Sequence, residues 1–187
     1  LNRATIQRSK RIANPGCFAT TIQLGLLPLA NAGLLAPEVH INAITGSTGA
    51  GQAPSATTHF SWRASNLSVY KAFNHQHLDE IRRSLVQAQP GFGGELNFIP
   101  LRGDFTRGMY LDCKLSEQEL NELYTQTYLN EPFTFVSAPN PHLKQVVNTN
   151  KCLVHVEKHG NKAFIISAID NLTKGASGQA VQNLNLI

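Results

Sequence analysis

The sequence predicts an α+β fold, a mixed β-sheet with helices packed on one face. Three observations carry that expectation. Segments of helical and of alternating apolar periodicity interleave along the chain, strands crowd its second half, and two of them meet across His159-Gly160-Asn161 as a hairpin. No G-x-G-x-x-G follows any strand, so the 187 residues contain no dinucleotide-binding fingerprint of their own.

The elements follow in order. Residues 18–32 read as a helix with apolar positions at 22, 26, 27, 29 and 30, Gly33 as its C-cap, and Pro28 predicting a kink or a break. VHINAIT (39–45) is a strand that runs into the glycine loop GSTGAGQAP, and residues 59–76 form a long connection of no evident type. LDEIRRSLVQA (78–88) is a short amphipathic helix whose Asp79 and Glu80 suit the positive end of its dipole. After the turn PGFGG come strands at 95–101 and 107–115, then a helix opened by a Ser116-x-x-Glu119 capping box. A strand at 133–138, the hairpin and a terminal helix from about Ala176 complete the chain.

Composition narrows the function. The chain is 42% apolar and 15% charged, as a soluble globular domain is, and its apolar runs are broken by Gly or Pro well short of the ~20 residues of a membrane span. The opening LNRATIQRSKR lacks the apolar stretch of a signal peptide and reads as a chain entered in mid-sequence. Cysteines at 17, 113 and 152 form neither a CxxC pair nor an even disulfide framework, which favours a reducing compartment such as the cytoplasm. The net charge of +4 is spread out and not interleaved with aromatics, which argues against nucleic acid and suits a small anionic ligand.

Two motifs could carry chemistry. In IANPGCFAT (12–20), Cys17 follows a tight turn and precedes a helix, where backbone N–H groups and the helix dipole stabilise a thiolate. The same position also suits a buried, inert thiol. In NHQHLDEI (74–81), His75 and His77 precede a helix; their i,i+2 spacing with no third ligand is poor for a metal site, so an acid/base partner for Cys17 is the better functional reading. The loop GSTGAG is either a nest for phosphate or carboxylate or a plain flexible loop. The tail from Asp170 is rich in amides and glycines and reads equally as a ligand-side segment or a docked C-terminal helix.

ANPGC (13–17), TGSTGAG (45–51), HQH with Asp-Glu-Ile (75–81), TRGM (106–109), TN-x-C (149–152) and DNLTKGASGQAVQN (170–183) occur in this order. In this the sequence resembles the N-acetyl-gamma-glutamyl-phosphate reductases, which reduce an acyl phosphate to a semialdehyde with NADPH in arginine biosynthesis. The resemblance covers essentially all of residues 1–187 and only the second part of that enzyme. It implies a catalytic and oligomerisation domain similar to the C-terminal domains of glyceraldehyde-3-phosphate and aspartate-semialdehyde dehydrogenases. NADP would be bound mainly by a separate half, which the tail from about residue 170 to 187 would contact.

The resemblance also implies roles. Cys17 would be the nucleophile that forms a thioester, with a thiol pKa lowered by its placement, and His77, before His75, the acid/base. Asn14, the loop serine Ser47 and Arg107 would bind the acyl phosphate, Arg107 through a bidentate carboxylate contact. Gly49, Gly51 and Asn171 would meet the cofactor, no metal is called for, and the assembly would be a homo-oligomer, dimer or tetramer. Gln76 stands where the family usually has a basic residue, Leu78-Asp79 where it commonly has Thr-Pro, and Phe18 where it often has Tyr. The competing expectations are a related semialdehyde dehydrogenase of the aspartate type, a solely structural dimerisation domain, and a papain-like Cys–His hydrolase, which would share neither the glycine loop nor the tail.

Overall fold

A computed structural model describes residues 2–53, 55–104, 117–160 and 162–187. Its elements are α1 (Arg3–Gln7), α2 (Cys17–Asn31), β1 (Glu38–Thr45), α3 (Phe60–Arg63), β2 (Ser68–Val69), α4 (His77–Ala88), β3 (Glu95–Arg102), α5 (Glu117–Tyr128), β4 (Thr134–Val136), β5 (Cys152–His159), β6 (Lys162–Ile169) and α6 (Gly178–Leu184). Short 3-10 turns occupy Ser47–Ala50 and Leu143–Gln145, and a π-helical turn, Thr173–Ser177, leads into α6. The expected strand at 107–115 and the Ser116 capping box lie outside the described residues.

The mixed sheet with helices is present, and its described strands fall into two three-stranded pieces. In one, β3 lies between parallel β1 and antiparallel β2; in the other, β5 lies between parallel β4 and antiparallel β6. Alternation along β1 sends Val39, Ile41 and Ala43 inward, and the parallel register sets them beside Leu96, Phe98 and Pro100. Glu38, His40 and Asn42 take the outward positions of β1. In β6, Ile165 through Ile169 are buried without alternation, which places that strand's far half inside on both faces.

Helix α2 is the centre of the core and packs on α4, β5, β6 and α5. Ten of its fifteen residues are buried, among them Phe18, Ile22, Leu26 and Leu29. Of the kink or break expected at Pro28, the break does not occur: the helix is continuous from Cys17 to Asn31. A proline lacks the N–H that would bond the carbonyl four residues back, and it crowds that carbonyl. Here the freed Leu24 carbonyl accepts from the Tyr128 hydroxyl at 2.5 Å, and the neighbouring Gly25 carbonyl accepts from the Tyr124 hydroxyl. Tyr128 thus replaces the one donor that the proline removes, and Tyr124, one turn earlier on α5, adds a bond to the next carbonyl. The connection at 59–76 gains α3 and β2, and Lys71 and Phe73 in it have positive φ.

Candidate active site

The turn that carries Cys17 ends where α2 begins. Gly16 is the extended N-cap of α2 and Cys17 its first helical residue. The Gly16 N–H donates to both oxygens of Glu80, at 3.2 and 3.3 Å, and the Gly16 carbonyl accepts from the Thr20 N–H at 2.8 Å. Glu80 sits on α4, so the second helix of the core fixes the peptide just before the thiol. Sequence reading gave Glu80 only a helix-dipole role; its second role depends on α4 lying across the start of α2.

His77 opens α4, one residue earlier than expected, and its ring covers Gly16. A Cβ on Gly16 would meet His77 Nε2 at 2.2 Å, a contact no side chain survives. His77 Nε2 lies 3.9 Å from Glu80 Oε1, and Nδ1 is buried without a hydrogen-bond partner. His75 is only 5% exposed and packs edge-on against Phe18 and Phe98. Its Nδ1 accepts the His77 backbone N–H at 3.2 Å, which places its own proton on Nε2. Desolvation, reinforced by His77, Lys71 and Arg102, lowers its pKa to about 4. Burial and Lys71 lower that of His77 as well, so both imidazoles are neutral near pH 7.

The two described thiols differ in setting. Cys152 is fully buried on β5 beside the Ser167 hydroxyl and its pKa rises to about 11, which makes it the inert thiol of the pair. Cys17 lines the cleft. Its thiol pKa is raised, and this corrects the expected lowering. The backbone N–H groups of Cys17 and Phe18 do pull it down, but burial outweighs them and Glu80 adds to the rise. The thiol of the unliganded site is therefore protonated at neutral pH and requires a base to be activated, which the neutral His77 beside the turn can supply.

Cys17 opens onto a cleft of about 970 Å³, walled by the ends of β1, β3 and β6 together with the starts of α2 and α4. Its described lining includes Lys71 and Arg102 and no carboxylate, as an anionic ligand requires. The Arg102 guanidinium lies 4.2 Å over the Tyr70 ring; neither residue was singled out from sequence, because the parallel pairing of β3 with β1 sets Arg102 at the cleft and the antiparallel pairing of β2 with β3 sets Tyr70 there. Of the expected ligand residues, Asn14, Gly49, Gly51 and Asn171 lie on the wall. Gly51 has φ +89°, a backbone state that favours glycine. Asn171 Nδ2 donates to the Thr48 hydroxyl at 3.2 Å, which ties the glycine loop to the start of the tail, and its Oδ1 is buried without a partner. Ser47 is not on the wall; its hydroxyl is buried and unpartnered within the 3-10 turn. Arg107 lies outside the described residues. Among the described residues no helix is long and apolar enough to cross a membrane.

Comparison with known proteins agrees with this arrangement. Residues 17–171 match the family model described as "Semialdehyde dehydrogenase, dimerisation domain". The chain is 57% identical to an N-acetyl-gamma-glutamyl-phosphate reductase of Parabacteroides distasonis and 58% identical to one of Flavobacterium johnsoniae. Each alignment takes in all of this chain and 59% of the relative, so the chain spans about three fifths of the length of the curated relatives it matches. Its fold is that of aspartate semialdehyde dehydrogenase II from Vibrio cholerae, with a TM-score of 0.69 at 18% identity over all of this chain and 65% of that one. A probable aspartate-semialdehyde dehydrogenase from Pseudomonas aeruginosa gives 0.70 at 17% identity, over 100% and 66% of the two chains. With Cys17 at one end of the matched region and Asn171 at the other, this chain belongs to the semialdehyde dehydrogenase dimerisation-domain family.

Proposed function

We propose that this chain is the catalytic and dimerisation part of an NADPH-dependent reductase that converts N-acetyl-gamma-glutamyl phosphate to its semialdehyde. One observation carries the reading: a cysteine at the first turn of a buried helix, on the wall of a cleft whose described lining presents cations and no carboxylate, beside a neutral histidine. The relatives' names supply the substrate, and their 57–58% identity over the whole chain supports carrying it across.

In this mechanism the Cys17 sulfur attacks the acyl carbon, its proton passes to His77, and phosphate leaves as the thioester forms. NADPH, when bound, supplies the hydride that reduces that thioester. His77 then returns the proton to the oxygen left on the carbon and takes it back as the C–S bond breaks, so the carbonyl re-forms, the aldehyde leaves, and the Cys17 thiolate recovers its proton from His77. Asn14, Lys71 and Arg102 face the anionic substrate, with Arg107 proposed for its carboxylate and Ser47 for the loop beside its phosphate. Gly49, Gly51 and Asn171 would meet the nicotinamide end; the buried, unpartnered Asn171 Oδ1 can accept from a carboxamide there, so the residues present fit the group. His75 is assigned to positioning, since it is packed among aromatics and holds the His77 backbone. The protein would act in the cytoplasm, where the free thiols of Cys17 and Cys152 persist, and as a homo-oligomer, in keeping with the family's dimerisation role.

The test is NADPH oxidation by the reductase containing this chain, with N-acetyl-gamma-glutamyl phosphate and with aspartyl phosphate. Turnover on the first and not the second supports the reading; the reverse assigns the chain to the aspartate type.

A further inference from the structure

The tail beyond residue 171 lies outside the family-model match, yet it builds the back of the nucleophile turn. It is rooted at the end of β6, where the Asp170 carboxylate, completely buried, accepts from the N–H groups of Asn148, Leu172 and Thr173 at 2.7, 2.9 and 2.8 Å. The π-helical turn that follows lays Gly175 against Cys17, so close that a Cβ on Gly175 would come within 2.7 Å of the Cys17 Cβ. Then Gln179, 7% exposed, uses both ends of its amide. Its Nε2 donates to the Pro15 carbonyl at 2.8 Å, and its Oε1 accepts from the Thr20 hydroxyl at 3.2 Å. A carbonyl only accepts, so the NH₂ end of the amide has to face Pro15. One turn on, Asn183 Nδ2 donates to Asn14 Oδ1 at 2.7 Å.

We propose that Gln179 is a positioning residue for the nucleophile, and that the tail of the chain clamps the Pro15–Gly16 peptide in the orientation that presents Cys17 to His77. That peptide is held from two sides: Glu80 takes the Gly16 N–H and Gln179 takes the Pro15 carbonyl. Gly16 must lie flat beneath the imidazole, and rotation of this one peptide would both lift Gly16 off His77 and turn the first N–H groups of α2 away from sulfur. The outward residues of α6, Val181 and Leu184, are exposed at 55% and 67%. The tail thus has one face committed to the turn and a second, apolar face exposed.

The inference rests on Cys17 being the nucleophile. Its test is Gln179→Glu, which keeps the shape but turns an acceptor towards the Pro15 carbonyl, beside Gln179→Met, which keeps the bulk and removes both hydrogen bonds. Two quantities are read in the reductase: kcat and KM for the acyl phosphate, and the pH midpoint of Cys17 alkylation by iodoacetamide. Both variants should lose kcat on the order of 10- to 10²-fold with little change in KM, as a small misplacement of a reacting group does. The alkylation midpoint should rise, because the N–H groups that favour thiolate are turned away. Near-normal kcat, or lowered kcat with an unmoved midpoint in both variants, overturns the positioning role. Turnover surviving in Cys17→Ser would instead sink the underlying assignment of the nucleophile.

Discussion

The imidazole of His77 lies flat on Gly16, and the space between them is too small for a methyl group: a Cβ there would sit 2.2 Å from Nε2. Gly16 has φ −68° and ψ 160°, which any residue adopts, so the backbone is no obstacle to alanine and only the ring is. Gly16→Ala should therefore displace His77 and lower kcat by about 10²-fold, with overpacking costing about 1–3 kcal/mol. Urea denaturation checks the cause: in a His77→Ala background the same change should cost much less.

His77→Asn should reduce kcat by on the order of 10²–10⁴-fold with a smaller effect on KM. Burial and Lys71 keep the His77 pKa below its usual 6.5, so the acid limb of kcat/KM should fall below that pH and be absent from the variant. A pH–rate profile decides it; an acid limb unchanged in the variant would move the role to another group.

His75 gives stability a pH dependence of known sign. Its folded pKa is about 4 against 6.5 for the free side chain. As pH drops below 6.5 the unfolded chain takes up a proton that the folded chain refuses, so stability drains between pH 6.5 and about 4. Above 6.5 this group contributes no pH dependence. In His75→Gln the difference between urea midpoints at pH 7 and pH 4.5 should shrink, and an unchanged difference would contradict the assignment.

Tyr128→Phe should cost about 1–3 kcal/mol in urea denaturation, since it leaves the Leu24 carbonyl unsatisfied beneath α5. Combined with Pro28→Ala, which restores the helix's own donor to that carbonyl, part of the loss should return. Simple addition of the two costs would mean that the tyrosine does not compensate for the proline.

What the sequence revealed and what it hid divide along physical lines. Strands β1 and β3, the hairpin and α2 were legible because alternation, turn chemistry and apolar spacing are local signals. The order of residues around the cleft was legible too, through motifs whose resemblance covers the chain. The break expected at Pro28 does not occur, because a donor for the carbonyl it frees sits about a hundred residues away on α5. The Cys17 pKa misled for the same reason: the helix start is visible in sequence, but the burial that outweighs it is tertiary. Glu80 was marked only as a helix-start acid and Gln179 only as one letter of the tail motif, while Arg102 and Tyr70 carried no local mark. Each meets the site only through the packing of α4 on α2, the pairing of β3, or the return of the tail.

The central claim is that Cys17 carries the acyl group. Incubating the reductase with N-acetyl-gamma-glutamyl phosphate in the absence of NADPH, then digesting it at low pH for mass spectrometry, tests it most directly. The account predicts one equivalent of phosphate released in a burst and one N-acetylglutamyl group on the peptide bearing Cys17, labile to hydroxylamine as a thioester is, with neither seen in Cys17→Ser. A burst that persists in Cys17→Ser, or an acyl group found on any other residue, would contradict it.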